Sequence, residues 1–166
     1  MGVIGAGQLA QMMVDEISKT GVSVAVLAEH DTDPAALEAT LVHVGSPLDA
    51  AALDRFATLC DVITFDHELV DLTLLENVAA RLPVRPSPAA LRFATDKAWQ
   101  REQLSLAGIP VPDFCVLQPG DPFPTEFVSR HPGVVIKIAS GGYDGRGVRI
   151  AADGKAARDI ITEWQE

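Results

Sequence analysis

The chain has 166 residues, nearly half of them apolar, and a formal net charge of -10. A chain of this length can bury a substantial core, and its composition favours a soluble α/β protein. So acidic a surface would repel a phosphate backbone, which excludes nucleic acid as an expected partner, and no apolar run approaches a membrane span. A small phosphorylated ligand stays compatible, because it needs only local positive charge and backbone N–H groups.

The cysteines and histidines form no recognisable metal or redox motif. Cys60 and Cys115 are far apart and lack CxxC spacing, which favours two reduced thiols and a cytoplasmic location. The histidines are too widely spaced for a helical metal-binding pair, so no metal is assigned to them. They are His30, His43, His67 and His131.

Short apolar segments alternate with helical repeats over the first ninety or so residues. Residues 2–4 predict a strand that enters a glycine turn, and the helical spacing that follows continues to Gly21. Further strands are predicted at 22–27, 41–44, 61–65 and 83–85, and helices at 34–39, 49–59 and 72–82. This alternation predicts a small doubly wound α/β domain with a mostly parallel sheet over residues 1–85.

The sequence Pro86-Ser87-Pro88 interrupts the alternation, because proline restricts its own backbone and that of the residue before it. A second domain is therefore predicted over residues 86–166. It contains a helix at 96–107, a short strand at 114–117, strands at 134–138 and 148–151, and a last helix from about 153.

The first candidate site is the turn Gly5-Ala6-Gly7-Gln8-Leu9-Ala10, between a strand and a helix. Without Cβ atoms at its glycines, backbone N–H groups at the helix N-terminus can approach an anion. A tight turn without a ligand fits the same sequence equally well. A dinucleotide-binding fold, with Glu29 on a ribose, is a third interpretation.

Two acids, Asp66 and Glu68, follow the predicted strand that ends at Phe65. Open α/β sheets bind ligands at the carboxyl ends of their strands, so these carboxylates could accept bonds from a ribose or an amine. Acids in a loop are more often solvated, and the sequence does not rank one of these two above the other.

The most informative segment is Lys137, which ends an apolar strand, and the loop Ser140-Gly141-Gly142-Tyr143-Asp144-Gly145-Arg146-Gly147-Val148. A strand-end lysine followed by a glycine-rich loop supplies a point charge and close backbone donors, as a polyphosphate requires. The competing interpretation is an ordinary hairpin, which needs only about two to five loop residues. Lys97, near the start of the helix at 96–107, would by itself most often be a solvated charge.

In their order and spacing these segments resemble the ATP-grasp superfamily over nearly the whole chain. The stretch from Asp96-Lys97 to Ile109-Pro110-Val111-Pro112 is similar to the one that precedes its nucleotide-binding lobe. Within the superfamily, the glycine turn, Thr64-Phe65-Asp66-His67-Glu68 and the loop at 141–147 resemble the 5-(carboxyamino)imidazole ribonucleotide synthases. The resemblance implies a pre-ATP-grasp domain followed by the first lobe of an ATP-grasp domain.

This resemblance implies a carboxylate-amine ligase of purine biosynthesis that uses ATP and magnesium. ATP would convert bicarbonate into carboxyphosphate, and the amine of 5-aminoimidazole ribonucleotide would capture the activated carboxyl group. The chain would be an N-terminal portion, inactive alone, because the acidic magnesium ligands of the family are expected beyond Glu166. A homodimer is left open.

The resemblance also implies roles for individual residues, in a nucleotide set and a substrate set. The nucleotide set is Lys97, Lys137, Gly142, Tyr143, Asp144, Gly145, Arg146, Gly147 and Val148. The substrate set is Gly7, Gln8, Leu9, and one of Asp66 and Glu68. The expected catalytic residues, which approach the substrate from the loop, are Tyr143, Asp144 and Arg146.

Two departures from the family pattern are visible. Met1 precedes the first strand directly, whereas the strand is usually longer, and Val148 stands where glutamine is frequent. The alternatives are an ATP-grasp glycinamide ribonucleotide transformylase and a dinucleotide-dependent oxidoreductase. The oxidoreductase interpretation gives no role to Lys137 or to the glycine-rich loop.

Overall fold

A computed structural model describes residues 1–142 and 147–165. The chain divides into two compact units, Met1–Arg92 and Phe93–Glu166. The domain boundary between residues 85 and 86 stays a prediction. Within the described part of the chain, no helix is both long and apolar enough to cross a membrane.

A four-stranded parallel sheet forms the centre of the first unit. Its strands are β1 (Gly2–Ile4), β2 (Ala25–Ala28), β3 (Leu41–Val44) and β4 (Ile63–Phe65), in the order β3-β2-β1-β4. The predicted mostly parallel α/β sheet is thus confirmed. The register sets Ile4 beside both Leu27 and Phe65, so the residues that follow β1 and β4 emerge side by side.

Alternate strand residues point to opposite sides of the sheet, so apolar side chains lie on both of its faces. Helices or turns cover each face. On one side Val3 and Val26 pack with α1 (Gln8–Ser18) and a 3-10 turn at Pro34–Leu37. On the other side Ile4 and Leu27 pack with two further helices. These are α2 (Ala50–Ala57) and α3 (Leu72–Ala79).

The second unit contains a two-stranded antiparallel hairpin and several helices. Helix α4 (Pro88–Thr95) crosses the division between the units, and α5 (Lys97–Leu106), α6 (Thr125–Ser129) and α7 (Gly154–Gln165) lie within the second. Strand β5 (Val134–Lys137) pairs with β6 (Val148–Ala151). A small core of Val128, Ala151 and Ala157 joins α6 and α7 to the hairpin.

The structure confirms the predicted helix after Asp96, the hairpin strands and the last helix. The Asp96 side chain caps α5 by accepting the Trp99 N–H at 2.9 Å. The strand predicted at 114–117 is wrong: residues 114–117 have no regular structure, and an extended segment becomes a strand only when a ladder partner pairs with it. The strand predicted at 83–85 is reduced to a single bridge between Ile63 and Val84.

Two helices, α4 and α6, were not predicted. Helix α4 begins at Pro88, part of the segment interpreted as a break. Proline lacks a backbone N–H, but the first turn of a helix has no intrahelical use for that group, so proline is tolerated there. The sequence signal that ends one element therefore also begins the next.

Candidate functional site

The glycine turn and the acid pair meet at the carboxyl edge of the parallel sheet. The Asp66 N–H donates to the Ile4 carbonyl at 3.2 Å, and Asp66 Oδ2 accepts the Ala10 N–H, also at 3.2 Å. Gly7 precedes α1 and has no side chain that could cap it. The Asp66 carboxylate therefore takes the place of the missing cap, and its charge suits the positive end of the helix.

Gly5 is required by this arrangement for two reasons. Its φ of +111° lies in the region that other residues rarely adopt. A Cβ atom at this position would also lie 1.8 Å from Asp66 Oδ1. The turn is thus shaped to accept a carboxylate from its own chain.

This contact weighs against a dinucleotide at the glycine turn. A pyrophosphate would need the N–H groups at the start of α1, and the Asp66 carboxylate already bonds one of them. A second anion in that position would face a buried negative charge, because only 5% of the Asp66 side chain is exposed. The oxidoreductase interpretation therefore loses its main support.

The structure ranks the two acids that the sequence left equal. Asp66 is enclosed by the glycine turn, whereas Glu68 is exposed. Gln8 and Leu9 are also exposed, in the first turn of α1. Of the predicted substrate set, Gly7, Gln8, Leu9 and Glu68 are exposed, whereas Asp66 is enclosed by the turn.

Lys97 is not a solvated surface charge. Its backbone N–H donates to the Ala139 carbonyl at 2.8 Å, and its Nζ donates to the Gly142 carbonyl at 3.2 Å. The residue is half-buried; Ala139 directly precedes the glycine-rich loop, and Gly142 lies within it. One lysine thus anchors the loop at two points.

The C-terminal end of the glycine-rich loop is hydrogen-bonded to the end of β5. Lys137 pairs with Val148 in the hairpin register, and the Ile138 N–H donates to the Gly147 carbonyl at 3.0 Å. The Lys137 side chain is exposed at this end of the hairpin. Lys97, Gly142, Lys137, Gly147 and Val148 thus belong to one loop and its supports.

The remaining predicted loop residues, Tyr143, Asp144, Gly145 and Arg146, lie outside the described residues. The described residues contain no cluster of three or more His, Cys, Asp and Glu side chains that could hold a metal ion. Sequence reasoning missed His67, whose ring contacts Asp66 and the backbone of Leu69. Its position between the two acids was the one signal that could have identified it.

Comparison with known proteins gives a family and several relatives. The model of the ribonucleotide synthetase preATP-grasp domain matches residues 1–95. A curated N5-carboxyaminoimidazole ribonucleotide synthase from Mycobacterium bovis is 42% identical over 164 residues, which are 98% of this chain and 38% of the relative. The chain therefore spans less than two thirds of the length of that relative.

Solved structures are similar over almost all of the chain. N5-carboxyaminoimidazole ribonucleotide synthetase from Thermotoga maritima has a TM-score of 0.82 at 31% identity, covering 95% of this chain and 42% of that one. The synthase from Aspergillus clavatus, in complex with ADP and 5-aminoimidazole ribonucleotide, has a TM-score of 0.79 at 27% identity. It covers 99% of this chain and 43% of that one.

Proposed function

Because the chain belongs to the ribonucleotide synthetase pre-ATP-grasp family, we propose that it serves an enzyme that carboxylates 5-aminoimidazole ribonucleotide. The chain would form the N-terminal part of this ligase, which consumes ATP and bicarbonate in purine biosynthesis in the cytoplasm. The relative from Aspergillus clavatus, solved with ADP and this ribonucleotide, supports the choice of substrates.

The observation that carries the proposal is the doubly anchored glycine-rich loop beside Lys137. Two lysines and a set of backbone N–H groups suit a polyphosphate, because phosphate oxygens accept charge-assisted hydrogen bonds. Lys97 already donates to the Gly142 carbonyl, so its ammonium group is directed at the loop rather than at solvent. In this proposal Lys97 and Lys137 hold the nucleotide phosphates, and residues 142–148 cover them.

The substrate would lie against the carboxyl edge of the parallel sheet. Glu68 is the exposed carboxylate there, and it would accept hydrogen bonds from the ribose or the amine. Gln8 and Leu9 would contact the ribonucleotide from the start of α1. Asp66 would act on the ribonucleotide only through the turn that it shapes.

The chemistry needs a phosphoryl donor, an activated carboxyl group and a nucleophilic amine. ATP supplies the phosphoryl group that gives bicarbonate a leaving group, and attack by the amine then releases phosphate. The residues of the chain would exclude water and stabilise charge, which are the main ways in which a protein accelerates phosphoryl transfer. Tyr143, Asp144 and Arg146 are proposed to approach the reacting groups from the loop, and magnesium ligands are proposed in the remainder of the enzyme.

An assay of phosphate release tests this proposal directly. In the intact enzyme, with ATP, magnesium and bicarbonate, 5-aminoimidazole ribonucleotide should stimulate phosphate release and glycinamide ribonucleotide should not. Stimulation by glycinamide ribonucleotide alone, in a parallel assay with formate in place of bicarbonate, would select the transformylase instead. The 166-residue chain by itself should turn over no ATP, because the metal ions that neutralise the phosphates would lack their ligands.

A further inference from the structure

The Asp66 carboxylate has one oxygen that is left without a partner. Oδ2 accepts the Ala10 N–H, but Oδ1 is buried and has no hydrogen-bond partner in the described part of the chain. A buried acceptor that receives no hydrogen bond carries the full cost of losing water. A donor next to this oxygen would therefore have a defined effect on the glycine turn.

His67 is placed to be that donor. Its Nε2 lies 3.6 Å from Asp66 Oδ1, and its Nδ1 lies 3.1 Å from the Leu69 nitrogen, whose N–H it accepts. A ring nitrogen that accepts a hydrogen bond carries no proton, so the neutral imidazole must carry its proton on Nε2. The Leu69 backbone thereby places an N–H group next to the unpaired oxygen, with 3.6 Å between Nε2 and Oδ1.

We propose that His67 is a positioning residue for the ribonucleotide site. It holds Asp66 through Oδ1, and Asp66 holds the first turn of α1 through the Ala10 N–H. That turn carries Gln8 and Leu9. His67 thus determines how firmly these side chains are presented to the ribonucleotide, and this inference rests on the function proposed above.

Two substitutions separate the two hydrogen bonds of the ring. The amide nitrogen of His67→Gln can replace the Nε2 donor, whereas the carbonyl oxygen of His67→Asn can replace only the Nδ1 acceptor. In the intact enzyme, His67→Asn should raise the KM for 5-aminoimidazole ribonucleotide about tenfold, with kcat and the KM for ATP nearly unchanged. His67→Gln should stay within about threefold of the wild-type KM.

The reverse order, or a wild-type KM in His67→Asn, would overturn the proposal. A second measurement needs no activity: nitrogen-15 NMR of the wild-type 166-residue chain should show His67 protonated on Nε2, with His67→Gln identifying its signals. The opposite tautomer would also overturn it. If the wild-type enzyme ignored the ribonucleotide, the proposed function would fail while this NMR measurement still tested the contact between His67 and Asp66.

Discussion

The two compact units bury their apolar residues in different ways. In the first, strands such as β1 and β2 lie between helices on both faces, and Val3, Ile4 and Val26 are fully buried. In the second, the hairpin is covered by α7 while Val135 and Ile150 remain 56% and 79% exposed. A site at the edge of the first unit can therefore enclose a carboxylate, whereas the loop of the second depends on individual hydrogen bonds.

The largest expected effect is on stability, when the same Phe→Ala substitution is made in the core of each unit. Phe56→Ala, at a fully buried ring in the first unit, should lower the free energy of unfolding by about 3–5 kcal/mol. Phe127→Ala, at a half-buried ring in the second, should cost less than about half of that. Urea denaturation followed through amide NMR signals of each unit measures both, and equal losses would contradict the comparison.

The glycine turn offers a second test, which is how much the contact between Gly5 and Asp66 contributes to the stability of the first unit. Gly5→Ala should destabilise the chain by at least about 2–3 kcal/mol, because it adds left-handed strain and forces Asp66 out of the turn. Gly21→Ala is the matched control, since its φ is +80° but a Cβ there would meet nothing within 4 Å. Gly21→Ala should lower the free energy of unfolding by about 1–2 kcal/mol. Equal costs in urea denaturation would mean that Asp66 moves aside freely.

In the second unit, the strand-end lysine should matter for binding rather than for folding. Lys137→Ala should weaken ATP binding by the intact enzyme about ten- to a hundredfold, since a charge-assisted bond contributes about 1.5–3 kcal/mol. Lys155→Ala is the control, because Lys155 is also an exposed lysine and lies on α7. Calorimetric titration measures both dissociation constants, and an unchanged value for Lys137→Ala would remove this residue from the nucleotide site.

The smallest expected effect is a difference in alkylation rate between the two thiols, one of which lies in each unit. Burial raises the pKa of Cys60, whose Sγ donates to the Phe56 carbonyl at 3.4 Å. A raised pKa means less of the reactive thiolate at neutral pH, so Cys60 should be alkylated about tenfold more slowly than the exposed Cys115. Mass spectrometry after timed iodoacetamide treatment gives the order, and faster labelling of Cys60 would show that the first unit opens locally.

The sequence predicted the sheet of the first unit well because apolar strands and helical repeats alternate there. In the second unit it predicted α5, the hairpin and α7, but it missed α6 and placed a strand at 114–117. Residues 114–117 are as apolar as a strand, yet only a pairing partner would make them one, and such a partner cannot be deduced from local sequence. Pro88 was ambiguous because proline both ends and begins helices.

The site was predictable as a set of segments but not in its internal contacts. Asp66 and Glu68 look equivalent in sequence, since both follow the strand that ends at Phe65. Only the register of Ile4 beside Phe65 brings Asp66 against Gly5 and leaves Glu68 exposed. The orientation of His67 depends on the Leu69 N–H, which no residue pattern encodes.

The close fit between Gly5 and Asp66 limits how this protein can change over generations. Any side chain at position 5 would collide with the carboxylate, and loss of the carboxylate would leave the start of α1 without its cap. Each single change therefore damages the turn, and replacing Asp66 does not free position 5, because the φ of +111° there strains any residue other than glycine. Positions 5 and 66 should accordingly both be kept in any redesign of this edge of the sheet.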